Sequence, residues 1–353
     1  MFKIKERSMR RQVLRGLGAT AVSLVARPAL ARDFYNGKQI NIVVGSDSGG
    51  GYDACARLLA RHWPKHIPGN PSVVVRNMPG AGSLNAMNYV ANVAPKDGLT
   101  VCAPQNTIGY EPLMGLSGNK DNARFDPRKL NWLGSISKEV SVPLLWRPSP
   151  VANFEELITT KRRMTTGSTG LSTPNSTYAQ LMNATLGTNF DIIQGYASQS
   201  ALFLAIERGE LQGSGGPFYS SIVTSKPDWI RDQKIHILVQ IALEKHPSLS
   251  DVPLIFEFLQ NEEHRRQWKL ATIALSMGRP FVMAEGSPSE LVDVLRTAFT
   301  RTLEDADLQE EARRLGIDVN AIDGQQVQKL LREMYEMPQD VISKVAKIFV
   351  PAG

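Results

Sequence analysis

A glycine-rich segment, Ser46-Asp47-Ser48-Gly49-Gly50-Gly51-Tyr52-Asp53, is the pattern in this sequence best suited to holding an anion. It follows a short apolar run at 40–44, predicted to be a strand, and precedes a run with helical spacing. Free N–H groups at a helix start and the helix dipole favour a negative group there. The spacing matches neither a dinucleotide-binding fingerprint nor a P-loop, so a carboxylate suits it better than a nucleotide phosphate. A plain flexible turn is the alternative. The predicted ligand contacts are Ser48, Gly49, Gly50 and Gly51.

A second segment of this kind, Gly167-Ser168-Thr169-Gly170, also lies between a predicted strand and a predicted helix. Alone it is a weak signal, because Ser and Thr often only cap helices. Two such loops, one in each half of the chain, could face each other across a cleft and hold the two ends of a small anion. We therefore predict that Ser168, Thr169 and Gly170 also contact the ligand.

Five further side chains could complete such a site: Asp53, Asn106, Thr107, Tyr196 and Arg279. Asp53 could receive a cationic or hydroxyl group, or only stabilise the dipole of its helix. Asn106 and Thr107 follow the third predicted strand. Tyr196 could close over the ligand or pack in a core. Arg279 could pair with a ligand carboxylate, although a surface arginine is the favoured interpretation.

Groups for catalysis are scarce. His62 and His66 have a spacing that suits a metal, but Pro64 interrupts the helix between them and no acidic third ligand is nearby. Residues 167–170 do not form a G-x-S-x-G elbow, and no histidine has an obvious place beside Ser168. We expect no catalytic residues, no metal and no cofactor. The alternative is an extracytoplasmic enzyme that acts on a carboxylated substrate.

The formal charge of +6 lies at the start of the 353-residue chain. Residues 1–31 hold seven basic residues and one acidic residue, so the 33 basic and 33 acidic residues that follow cancel. A basic protein could bind nucleic acid, but residues 32–353 carry no net charge. We therefore predict no nucleic-acid partner.

Residues 1–31 have the three parts of an export signal. A basic stretch is followed by a weakly apolar run at 16–25 and by the small-x-small cleavage site Ala29-Leu30-Ala31. The pair Arg10-Arg11 resembles a twin-arginine signal, and an ordinary Sec signal is the alternative. We predict cleavage near Ala31 and a soluble periplasmic protein. Cys55 and Cys102 could form a disulfide there, but two small buried hydrophobic residues are favoured.

The remaining sequence alternates between strands and helices, which predicts parallel sheets covered by helices. A first α/β unit has strands at 40–44, 72–75 and 99–103, with helices at 52–66 and from 83 through 90. The pattern restarts with strands at 132–136, 140–146, 164–166, 190–193 and 235–241. The tail has helices at 288–303, 306–315 and 325–348, the last kinked near Pro338. The predicted domains are 32–138 with 243–353, and 139–242.

The order of these motifs resembles the Bug family, the periplasmic solute-binding proteins of tripartite tricarboxylate transporters. The family's first loop, P-F-x-A-G-G-x-x-D, and its helix A-R-L-L-A correspond to 45–60, where Ser46-Asp47-Ser48 replaces the usual Pro-Phe-x. Its N-x-P-G-A-G is matched at 77–82, its A-P-x-D-G at 94–98, and its G-S-x-G loop at 167–170. A further run, A-L-x-x-L-x-x-G-x-x-x-G, resembles 201–213.

This resemblance implies a type II periplasmic-binding-protein fold, in which two α/β domains close on a ligand like a Venus flytrap. It implies that the chain captures a dicarboxylate, a tricarboxylate or an aromatic acid, and delivers it as a monomer to integral-membrane transporter subunits. A ligand-sensing partner of a signalling receptor is an alternative. The residues that the resemblance marks as ligand contacts are Ser48, Gly49, Gly50, Asp53, Ser168 and Thr169.

Overall fold

The computed structural model describes residues 34–350, so the predicted export signal lies outside the described residues. Within them the chain forms eleven strands in two sheets. The strands of the first sheet are β1 (Gln39–Val44), β2 (Ser72–Asn77), β3 (Thr100–Ala103), β4 (Asn131–Ser135), β10 (Pro280–Met283) and β11 (Ile322–Asp323). The strands of the second are β5 (Leu144–Trp146), β6 (Arg163–Gly167), β7 (Asn189–Ile193), β8 (Gly213–Ser214) and β9 (Ile235–Ile237).

Both sheets are mixed, whereas the alternation of elements predicted parallel ones. The first has the order β11-β4-β10-β3-β1-β2, and the second β7-β6-β8-β5-β9. β1 is parallel to β2 and β3, and β6 is parallel to β7 and β8, as expected of strands joined by helical crossovers. β10 is antiparallel to β3 and β4, because it returns from the tail without such a crossover. The two-domain α/β class is confirmed. The domain boundaries at 138/139 and 242/243 stay a prediction.

Thirteen helices accompany the strands in residues 34–350. Those before β9 are α1 (Gly51–His62), α2 (Leu84–Asn92), α3 (Glu111–Met114), α4 (Phe154–Thr160), α5 (Pro174–Leu186), α6 (Gln199–Glu207), α7 (Tyr219–Ser225) and α8 (Pro227–Arg231). Those after it are α9 (Glu262–Thr272), α10 (Ser289–Leu303), α11 (Ala306–Arg314), α12 (Gly324–Tyr335) and α13 (Gln339–Phe349). No helix in this part of the chain is long and apolar enough to cross a bilayer.

Two helix predictions need correction, and proline is the cause of both. The helix expected over 52–66 ends at His62 and continues as a 3₁₀ turn at 63–66, since Pro64 has no N–H to donate. The single kinked helix expected over 325–348 is two helices, α12 and α13, with Pro338 as the N-cap of α13. Two strands are also shorter than predicted: 140–146 is regular only from Leu144, and 235–241 only to Ile237.

The helical tail joins the two domains on one side of the molecule. α9 packs on α13, and α13 packs on α5 of the second domain. Trp268 of α9 is fully buried, and its Nε1 donates to Oγ1 of Thr185 over 2.9 Å. The hydroxyl of Tyr178 donates to the carbonyl of Ala271 over 3.2 Å. One apolar core therefore continues from the tail into the second domain.

Candidate functional site

The first glycine-rich loop connects β1 to α1, and its backbone depends on glycine at two positions. A Cβ at Gly45 would lie 2.3 Å from Cβ of Ser83, so no larger residue fits while Ser83 Oγ donates to the Gly45 carbonyl over 2.9 Å. Gly49 has a φ of +84°, in the left-handed region that side chains disfavour. Gly50 is the extended N-cap of α1, which begins at Gly51.

Asp53 holds this loop in shape. Its side chain is buried, and its carboxylate accepts hydrogen bonds from Gly49 N at 2.9 Å, Arg57 Nε at 2.9 Å and Asn77 Nδ2 at 3.0 Å. Burial alone would raise the pKa of Asp53, but the hydrogen bonds from Arg57, Gly49 and Asn77 lower it to about 2. These contacts favour a structural role for Asp53 over contact with a ligand, since both carboxylate oxygens already have partners within the protein.

The first turn of α1 presents unused donors. Gly49 N donates to Asp53, and Ala54 N makes the first helical bond, to the Gly50 carbonyl. Among the hydrogen bonds of residues 34–350, the N–H groups of Gly50, Gly51 and Tyr52 have no acceptor. Gly50 and Gly51 are exposed. This end of α1 therefore offers backbone donors and a positive dipole end to an anion.

Arg279 lies beside this loop and is largely buried, so the favoured interpretation of a surface arginine is wrong. Its side chain is 12% exposed, and its Nη2 lies 2.8 Å from Oε1 of Glu139. The guanidinium stacks on the ring of Tyr52 at 4.5 Å, and Nη1 donates to the Gly278 carbonyl. A Cβ at Gly51 would lie 3.2 Å from Nη2. The pairing with Glu139 and the stacking on Tyr52 explain how a buried cation is tolerated.

Glu139, which the sequence analysis missed, connects Arg279 to the second domain. Its side chain is buried, and Oγ of Ser220 on α7 lies 2.8 and 3.1 Å from its two oxygens. Burial raises the pKa of Glu139, and Arg279 and Ser220 oppose that effect. No local pattern marks this residue, because its partners are distant in sequence.

A cavity of about 830 Å³ lies between the domains at this point. The lining includes Gly49, Gly50 and Gly51 of the first domain, 219–225 of the second, and 242–248, which lie at the predicted boundary between the domains. At the rim, a Cβ at Gly316 would lie 3.7 Å from Oγ1 of Thr224, so the two domains approach each other there. The exposed N–H groups at the start of α1 therefore face a cavity that both domains enclose.

The cationic side chains in the cavity wall are paired with acidic ones. Lys138 contacts Glu244, and Lys245 Nζ lies 3.2 Å from Glu257. His246 Nε2 lies 3.4 Å from Asp318. Since Arg279 is paired with Glu139, no cationic side chain among the lining residues is left unpaired for a ligand carboxylate. The donors that remain for it are uncharged, and they include the backbone N–H groups of Gly50 and Gly51.

The second predicted loop forms a separate cluster in the second domain. Ser168 is buried, and its Oγ lies 2.8 Å from the Gly170 carbonyl and 2.9 Å from Thr173 Oγ1. Tyr196 N donates to the Ser168 carbonyl over 3.2 Å. Ser168, Thr169, Gly170 and Tyr196 are not among the residues that line the 830 Å³ cavity. The structure thus brings these four together, apart from the first loop.

The other residues that the sequence singled out either contact a residue of the site or lie elsewhere. Asn106 is buried, its Oδ1 accepts from the hydroxyl of Tyr52 over 3.1 Å, and it therefore positions the ring under Arg279. Thr107 is partly buried and lies outside the cavity lining. His62 and His66 pair separately, with Glu311 at 2.6 Å and Asp305 at 2.7 Å. Residues 34–350 contain no cluster of three metal-ligating side chains.

Two α/β domains that enclose a cavity at a glycine-rich helix start define the architecture of periplasmic solute-binding proteins. The family described as the tripartite tricarboxylate transporter family receptor matches residues 56–346. The chain belongs to this family, which confirms the resemblance inferred from its motifs. Among curated relatives, the UPF0065 protein in the tcbD-tcbE intergenic region of Pseudomonas sp. (strain P51) is 24% identical over 327 residues, covering 87% of this chain and 86% of the relative.

Solved structures share the fold. A TctC solute-binding protein from Polaromonas, solved without ligand, has a TM-score of 0.70 at 18% identity, covering 88% of this chain and 99% of that one. A protein of R. palustris solved with adipate has a TM-score of 0.61 at 20% identity, covering 88% of this chain and 97% of that one.

Proposed function

We propose that this protein is a non-enzymatic periplasmic binding protein that captures a small organic carboxylate on the N–H groups of Gly50 and Gly51. One observation carries the proposal: these donors are unused and exposed, and they open on a cavity whose cationic side chains are already paired. A carboxylate there is stabilised by charge-assisted hydrogen bonds and by the dipole of α1. The adipate held by the R. palustris relative supports the same ligand class.

The substitution Gly50→Leu tests this assignment. A Cβ at Gly50 meets only the Asp47 carbonyl, at 3.7 Å, so the fold tolerates a side chain that would fill the anion position. We expect carboxylate binding to fall below detection in isothermal titration calorimetry, with an unchanged circular-dichroism spectrum. Ala152→Leu, which adds the same side chain at an exposed position outside the cavity, is the control. Undiminished carboxylate affinity in Gly50→Leu would refute the assignment.

In this proposal the second loop contacts the ligand when the domains close. Ser168, Thr169, Gly170 and Tyr196 surround the ends of β6 and β7, where parallel strands commonly present ligand-binding loops. A hinge motion would carry this cluster toward the first loop, and the ligand would favour the closed state by bridging both. Gly170→Leu should then weaken binding less than Gly50→Leu does, because it affects closure only.

We further propose that the chain is exported, cleaved near Ala31, and docks as a monomer on membrane transporter subunits. Its family membership supports this role. N-terminal sequencing of the periplasmic protein tests the cleavage, and export of an Arg10→Lys, Arg11→Lys variant tests the twin-arginine route. Turnover of a bound carboxylate would favour an enzyme instead. In a deletion strain, loss of a transcriptional response without loss of uptake would favour a partner of a signalling receptor.

A further inference from the structure

Arg279 lies beside the proposed anion site, and Glu139 already pairs with it. Nη2 of Arg279 lies 2.8 Å from Oε1 of Glu139, and the same Nη2 would lie 3.2 Å from a Cβ at Gly51. Both side chains are buried in the wall of the 830 Å³ cavity. A ligand on the first loop therefore lies beside an arginine whose charge is cancelled by a residue of the protein.

Other residues of the protein hold the side chains of Glu139 and Arg279 in place. Ser220 Oγ lies within hydrogen-bond distance of the two oxygens of Glu139, at 2.8 and 3.1 Å. Arg279 is oriented by the ring of Tyr52 and by the Gly278 carbonyl, which accepts from Nη1 over 2.9 Å. Because these supports all come from the protein, we expect the pair to persist when the cavity is filled.

The rest of the cavity wall offers no unpaired cationic side chain to a second negative group. Its other basic residues, Lys138 and Lys245, contact Glu244 and Glu257. The wall between them is formed largely by apolar and hydroxyl side chains, which include those of Val223, Leu243, Ile317, Ser221 and Thr224. A second carboxylate would leave water without gaining an unpaired cation, and it would lie near the negative charge of Glu139.

We propose that the site selects ligands with one carboxylate and an uncharged remainder, and that Glu139 is the residue that sets this selectivity. The inference rests on the proposed function, because it assumes that the first carboxylate binds at Gly50 and Gly51. Glu139→Gln isolates the effect of charge. The amide oxygen of the glutamine can still accept from Arg279 and Ser220, but Arg279 is left with a net positive charge that a second carboxylate can use.

The test compares matched ligands that differ by one charge: succinate with succinamate, and adipate with adipamate, by isothermal titration calorimetry. We expect the wild-type protein to bind each monoanion at least about tenfold more tightly than its dianion. In Glu139→Gln, this ratio should fall by at least about tenfold for one or both pairs. Glu244→Gln removes the same charge from the same wall, but Glu244 is exposed and its charge is screened by water, so the ratio should change less than about threefold. A purely structural role for Glu139 would weaken both members of a pair alike and leave the ratio unchanged.

The outcomes separate this inference from the proposed function. If the wild-type protein binds dianions as tightly as monoanions, the inference is wrong but the proposed function is not affected. The same holds if the monoanion-to-dianion affinity ratio is the same in Glu139→Gln as in the wild type. Absence of binding by all four probes to both proteins overturns the proposed function and the inference with it. If circular dichroism shows that Glu139→Gln is unfolded, the monoanion-to-dianion affinity ratio is measured for the wild type and for Ser220→Ala instead. We expect this ratio to be lower in Ser220→Ala than in the wild type.

Discussion

Replacing Asp53 with Asn tests whether this carboxylate holds the anion-binding loop in shape. Hydrogen bonds from Arg57, Gly49 and Asn77 outweigh the effect of burial and lower the pKa of Asp53 from its ordinary 3.8 to about 2. Because a difference of one pKa unit corresponds to about 1.4 kcal/mol, the charged form contributes about 2 kcal/mol to the free energy of unfolding. We expect Asp53→Asn to lose about that amount at pH 7.

The dependence on pH distinguishes this cause from a packing defect. A lowered folded-state pKa means that the contribution is complete above the unfolded-state value, near pH 4, and disappears as the pH falls toward 2. Urea unfolding of both proteins at several pH values measures it. The difference should be largest at pH 7, small at pH 2, where about half of Asp53 is protonated in the folded wild type, and absent below that pH.

Asp307→Asn is the matched control, because Asp307 pairs with Lys65 at the surface, where ion pairs contribute at most about 1 kcal/mol. A loss in Asp53→Asn that is the same at every pH would refute the assignment of the effect to the charge of Asp53. Carboxylate affinity should fall along with stability, since the loop that presents the donors is the part that the substitution loosens.

Three further outcomes follow from the packing. Trp268→Ala should lower the free energy of unfolding by about 3 to 5 kcal/mol in a urea titration, because it empties a buried site between the tail and the second domain; a loss below about 1 kcal/mol would contradict that packing. Gly45→Ala should be destabilised by about 1 to 3 kcal/mol relative to Gly50→Ala in the same titration, since only the former places a Cβ against Ser83; equal stabilities would contradict the close approach. Burial raises the pKa of the Cys55 thiol to about 11, so the native protein should resist a thiol reagent at pH 8 that labels Cys55 in denaturant; rapid native labelling would contradict this burial.

The fold and the first loop could be predicted from sequence because local signals specify them. The apolar run before Gly45, the glycines at 49–51 and the amphipathic helix that follows are all encoded within about twenty residues, and the structure places them as expected. The strand directions of β10 and β11 were not predictable in this way. They depend on where the tail re-enters the first sheet, which no short pattern records.

The electrostatics of the site was the part that sequence could not provide. Arg279 was expected at the surface, yet it is largely buried and pairs with Glu139, 140 positions earlier in the chain. Asp53 was open to two interpretations, and its contacts with Gly49, Arg57 and Asn77 favour the structural one. Of these, the contact with Asn77 joins α1 to β2 and has no local signal in the sequence. Pairings between distant residues of opposite charge leave no mark in a single sequence.

The most direct test of the central claim is a crystal structure of the mature protein with a bound carboxylate. We expect carboxylate oxygens within about 3.2 Å of the N–H groups of Gly50 and Gly51, with the Glu139–Arg279 pair intact beside them. A carboxylate bound to Arg279 with Glu139 displaced, or one bound at 167–170 with no contact to Gly50 or Gly51, would contradict it.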